Sequence, residues 1–143
     1  MIQTVLTNRF YKLRFSEVRM KESIDKAINW WANKISKRVV HINGDDSTTS
    51  VMAYILTVME YKKVTDDQLE IFRNELRNQI EEYRKEFKGM DIWLGCDYGP
   101  CKHLGEAAKK AGINDLNFPF KTKLVIENDG KVLVSDEYGM RYV

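Results

Sequence analysis

FPFKTKLVIENDGKVLVSDEYG, residues 118–139, sets the class of fold open to this chain. Two runs rich in β-branched and apolar residues flank Asn128-Asp129-Gly130. That tripeptide supplies the left-handed conformations a tight hairpin turn needs, so residues 118–139 are predicted to form two antiparallel strands. A hairpin needs antiparallel pairing, which a uniform βαβ repeat does not offer.

Upstream of the hairpin lies IWLGCDYGPCKHLGEAAKKAG, residues 92–112, in which a short strand turns a corner into a helix that Gly112 closes. Before it, VTDDQLEIFRNELRNQIEEYRKEFKG contains the most regular helix of the chain. Leu69, Phe72, Leu76, Ile80, Tyr83 and Phe87 keep one apolar stripe, and Thr65 with Gln68 has the spacing of a capping box. Asp66 and Asp67 suit the positive end of that helix, and Gly89 stops it.

Further upstream, Met20, Ile24, Ala27, Ile28, Trp31 and Ile35 form another helical stripe after Ser16, which reads as an N-cap. Adjacent helical residues diverge by roughly 100°, so Trp31 is the core residue and Trp30 falls at a boundary or contacts a partner. RVVHI reads as a buried strand, and VMAYILTVMEY as a central helix that is apolar on nearly every side. At the N-terminus, IQTVL and RFYKLRF are strand candidates around Thr7-Asn8, because Tyr11, Leu13 and Phe15 alternate with Lys12 and Arg14. The expected order is β-β-α-β-α-α-β-α-β-β. It predicts an α+β fold in one domain, residues 1–143, with a mixed sheet, hairpins at both ends and about four helices packed mainly on one face.

Bulk properties narrow the function. Of 143 residues, 43% are hydrophobic and 31% charged, ordinary for a globular protein, and the longest apolar runs fall far short of a membrane span. No signal peptide is read at the N-terminus, and there are two cysteines, so the expected compartment is the cytoplasm. Net charge is +2, unevenly spread. Residues 1–40 hold nine Lys/Arg against three Asp/Glu, and residues 41–91 seven against eleven. Arg9, Lys12, Arg14, Arg19, Lys21 and Lys26 are read as a solvated basic face. Nucleic acid is not the expected partner, because the overall balance is well below that of a dedicated binder.

Chemistry is most plausible at two corners where a strand feeds a helix: INGDDSTTS, residues 42–50, and LGCDYGPCKH, residues 94–103. Free N–H groups at two helix starts can hold an anion. Asp45, Asp46, Ser47, Thr48 and Thr49 at the first corner, with Asp97, Tyr98 and Lys102 at the second, are the predicted ligand-binding residues. Parallel neighbouring strands would bring both corners into one pocket. The local alternative is that these side chains only cap helices.

Neither corner has the glycine spacing of a phosphate loop or a dinucleotide fingerprint. Cys96, Cys101 and His103, with His41 upstream, are spaced poorly for zinc, so no metal and no cofactor are expected. Cys101 after Gly99-Pro100 is placed in the first turn of a helix, where the dipole and Lys102 favour a thiolate; a structural corner is the simpler reading. His41 reads as a core or sheet-face histidine, and in SDEYGMRY near the C-terminus Tyr138, Arg141 and Tyr142 either close over a site or frame the last strand.

Together these features predict a small cytoplasmic binding protein without chemistry of its own, recognising an anionic, nucleotide-like molecule or a partner protein, as a monomer or a homo-oligomer. The short, Lys/Asn/Ile-rich character suits a phage or mobile-element accessory protein that binds a host factor. The alternatives are a metal-assisted or thiol-dependent hydrolase or transferase acting on phosphate through Asp45, Asp46 and Asp97, and an architectural subunit that docks through Trp30.

Overall fold

In a computed structural model, the described residues are 2–37 and 63–143, with the side chains of the first helix described from residue 16 onward. Three α-helices stand among them: α1 (Ile2–Lys37), α2 (Asp66–Glu86) and α3 (Lys102–Ala111). Four strands, β1 (Ile92–Cys96), β2 (Thr122–Ile126), β3 (Val132–Asp136) and β4 (Gly139–Tyr142), form one sheet in the order β1-β2-β3-β4. Every described pairing is antiparallel, so among these residues the sheet is a meander and not the mixed sheet predicted. The fold is α+β. The predicted strand over RVVHI, the corner at 42–50 and the whole of the predicted helix VMAYILTVMEY lie outside the described residues, and no described helix is long and apolar enough to cross a membrane.

The largest correction is at the N-terminus. The expected hairpin over residues 2–15 is part of the 36-residue helix α1, and Ser16 lies inside that helix instead of capping it. The alternation of Tyr11, Leu13 and Phe15 with two basic residues spans only five positions. Over the wider window Ile2, Leu6, Phe10 and Leu13 recur at intervals of four, four and three, which is a helical spacing. No glycine or proline interrupts residues 2–37, and extending an existing helix avoids the cost of a second nucleation.

From Ile24 onward the helix follows its predicted stripe. Ile24, Ala27, Ile28, Trp31 and Ile35 are buried, with Met20 packed at the edge. The ring of Phe118, delivered by a single 3-10 turn (Asp115–Asn117), lies 6.1 Å from Trp31 and 6.1 Å from Phe72, joining α1 to α2. Ile92, Leu94, Leu124, Ile126, Val132 and Val134 cover the same core from one face of the sheet.

The capping box at α2 is formed as predicted. The Gln68 N–H donates to Thr65 Oγ1 at 3.2 Å, and the Thr65 N–H donates to Gln68 Oε1 at 2.9 Å. Helix α3 runs antiparallel to α2 and is joined to it along its length. Gln68 Nε2 donates to the Gly112 carbonyl, Lys110 pairs with Glu75, and His103 meets Gln79.

Both ends of β3 are closed by tight turns with a left-handed glycine, Gly130 (φ 92°) and Gly139 (φ 95°). Gly130 is also the seat of α1. Ser23 Oγ donates to its carbonyl, and the Arg19 stem lies where a β-carbon would stand, 3.1 Å from that position.

Candidate functional site

The second turn, Asp136-Glu137-Tyr138-Gly139, was not predicted, and it builds the most developed site among the described residues. Asp136 faces the helices, its side chain only 3% exposed. It accepts two hydrogen bonds from the Arg141 guanidinium, at 2.8 and 3.2 Å, one from the Tyr138 N–H at 2.9 Å, and one from Lys34 Nζ at 3.3 Å. Arg141 above all, and then Tyr138 and Lys34, hold its carboxyl at about 2, well below the usual carboxylate range, although burial acts in the opposite direction.

Lys34 lies one turn after Trp30 in α1, so its stem runs along the indole. Its ammonium is 5.2 Å from the centre of the Trp30 ring and 5.7 Å from that of Tyr138. The cation is therefore flanked by two π faces above a buried carboxylate. Trp30 is steadied from the core side by an edge-on contact with Trp31 at 5.1 Å.

Around this centre opens a cleft of about 700 Å³ between the C-terminal end of α1 and the β3–β4 turn, with Lys37, Phe120 and Glu137 on its walls. On the lining two cations, Lys34 and Lys37, balance two carboxylates, Asp136 and Glu137, beside three aromatic rings, while Arg141 reaches Asp136 from outside the cleft. Lys34 and Lys37 also offset the free carbonyls of the last turn of α1.

Of the predicted ligand residues, Asp45, Asp46, Ser47, Thr48 and Thr49 lie outside the described residues, as does His41, and with them the predicted pocket shared by the two corners. The second corner is described. Asp97, Tyr98 and Lys102 are all exposed, Tyr98 at 77%. The corner is shaped by backbone bonds. The Cys101 N–H donates to the Gly95 carbonyl at 2.8 Å, and the Lys121 N–H donates to the Asp97 carbonyl at 3.0 Å. Cys101 is the N-cap residue of α3, just outside the first turn where it was predicted, and its side chain makes no capping bond.

Cys96 is buried and Cys101 half-buried, and neither is in a disulfide. Among the described residues no three His, Cys, Asp or Glu side chains come together as a metal site. His103 turns away from the corner. Its Nδ1 lies 3.0 Å from Gln79 Oε1, its ring packs edge-on against Tyr83 at 5.3 Å, and burial, helped by Lys102, pushes its pKa down. With Nδ1 donating to the amide oxygen, His103 ties α3 to α2.

Sequence reading placed Trp30 at a boundary and singled out Tyr138, Arg141 and Tyr142 as residues that close over a site or frame the last strand. It missed Lys34, Phe120 and Asp136. The available signal was DEYG, which repeats the chemistry of NDG: an acceptor side chain followed by a left-handed glycine. No protein-family model matches the chain, and no curated protein matches it.

Proposed function

We propose that this chain is a small cytoplasmic binding protein without chemistry of its own, and that it takes an anionic, ring-bearing molecule of nucleotide-like character in the cleft between Trp30 and Tyr138. The observation that carries this reading is the placement of Lys34 between two aromatic rings over the buried Asp136. Arg141 shares that carboxylate through two hydrogen bonds, so Asp136 does not depend on Lys34 alone for its counter-charge and the Lys34 ammonium is open to a phosphate. A planar base stacks on Trp30, Phe120 or Tyr138, and its phosphate is drawn to Lys34 and Lys37. A volume of about 700 Å³ suits a ligand of that size.

Titration with nucleoside mono- and diphosphates, followed by tryptophan fluorescence, tests the reading. Saturable quenching is expected. Tyr138→Ala should weaken it about tenfold, in line with the 1–3 kcal/mol typical of one stacked base. Tyr138 is 77% exposed, so this variant keeps its fold. Absence of quenching and of any thermal shift at millimolar nucleotide would refute the assignment.

A further inference from the structure

The described helices cover one face of the sheet; the other carries a pattern that is complementary to itself. On that outer face the register aligns Trp93, Val125, Leu133 and Tyr142 in one row across all four strands. A second row holds Gly95, Lys123, Ser135 and Met140. Beyond the first row, Glu127 and Lys131 continue the same face and are joined through their backbones. Trp93 is 57% exposed, Tyr142 59% and Met140 71%, while Val125 is buried in mid-row.

We propose that this outer face is the interface of a two-fold homodimer, with the symmetry axis lying parallel to the strands between β2 and β3. Such an axis sets β1 against β4 of the second copy and β2 against β3. Trp93 then meets the partner's Tyr142, and Val125 meets the partner's Leu133. Glu127 meets the partner's Lys131, so the charges are complementary. Gly95, which has no side chain and along which the Lys123 stem runs, meets the partner's Met140. Each of these pairings occurs twice, as an isologous interface requires, and the apolar row packs as two aligned sheets do.

The size of the face sets the strength. Four strands about 4.8 Å apart and five residues long cover roughly 300 Å² of sheet. Standard stable interfaces bury about 800 Å² per partner, so the dimer is weak and concentration-dependent. This inference is independent of the ligand cleft, which lies against α1.

Sedimentation velocity from about 1 µM to about 1 mM reads the association directly. The wild-type chain should move from 16.8 kDa to twice that mass. Trp93→Ser should weaken dimerisation at least tenfold. Met140→Glu, at a position exposed in the monomer, should do the same and serves if the first variant unfolds. Glu127→Lys and Lys131→Glu should each be monomeric alone, because every facing pair becomes like-charged. Mixed in equal amounts they should recover the dimer. A wild-type monomer throughout, a dimer that survives both Trp93→Ser and Met140→Glu, or a mixture no more associated than its components would each overturn the proposal.

Discussion

Replacing Asp136 with asparagine isolates the charge at the centre of the cleft. In the folded protein the carboxyl is held at about 2, against an ordinary aspartate value near 4. A folded-state pKa depressed in this way stabilises the protein fully above the unfolded value, and the benefit is lost as pH falls through the folded one. The difference corresponds to roughly 2 kcal/mol at neutral pH, with about half remaining at pH 3 and little at pH 2. Asp136→Asn also leaves Lys34 and Arg141 facing each other without a counter-charge, so the cost at pH 7 should be about 2–3 kcal/mol. For a chain of this size that is a fall in Tm of roughly 6–10 °C. Urea denaturation of both proteins by circular dichroism, at pH 7, 5, 3 and 2, gives the comparison. The gap should be constant between pH 7 and 5 and shrink below pH 4. A gap of the same size at pH 2 and pH 7, or one below about 0.5 kcal/mol at pH 7, would show that the carboxylate is not what holds these two cations.

Three further perturbations probe other parts of the fold. Thr65→Ala removes the acceptor for the Gln68 N–H and should cost about 0.5–2 kcal/mol in chemical denaturation; an unchanged midpoint means that the cap does not hold the helix. Gly130→Ala forces a side chain into a left-handed residue and against the Arg19 stem, so a loss above about 1 kcal/mol is expected, and an alanine variant as stable as wild type refutes this account of how α1 is seated. His103 has a depressed folded pKa, so its neutral form is the stabilising one and stability should decline as pH falls from 7 to 5; His103→Gln should flatten that slope, and identical slopes in the two proteins would remove His103 from the account.

What could be read in advance was whatever is encoded locally. The Asn128-Asp129-Gly130 hairpin, the Thr65–Gln68 box, the stop at Gly112 and the burial of Trp31 each depend on residues within a turn or two of one another. The N-terminal half of α1 was misread because a five-residue alternation with Lys12 and Arg14 outweighed a helical spacing that needs a longer window. Strand β4 was not recognised because it is four residues long, and the single Met140–Tyr142 alternation in GMRY is too short a run to mark a strand. The candidate site was legible only in fragments. Trp30 and Tyr138 stand out as large rings at positions the core does not claim, but Lys34 and Asp136 are 102 residues apart. Nothing within either segment announces that pairing; only the docking of α1 across the sheet creates it.

That docking bears on when the protein can fold. Each described hydrogen bond from α1 to the β3–β4 region spans more than a hundred residues: Ser23 to Gly130, Lys34 to Asp136 and Lys26 to Val143. The α2–α3 pair and the strand meander, by contrast, are stitched by bonds between near neighbours, none in the helix pair spanning more than 44 residues. Contacts of short sequence separation form first because less chain entropy is lost in closing them. During synthesis, therefore, the first helix leaves the ribosome long before its counterpart exists, and the apolar stripe from Ile24 to Ile35 cannot be seated on the sheet until residues 130–136 have followed. For most of the time the chain is being made, Trp31 and its neighbours lack the sheet face they will pack against, a period in which a chaperone or a neighbouring nascent chain competes for the surface that later becomes the core.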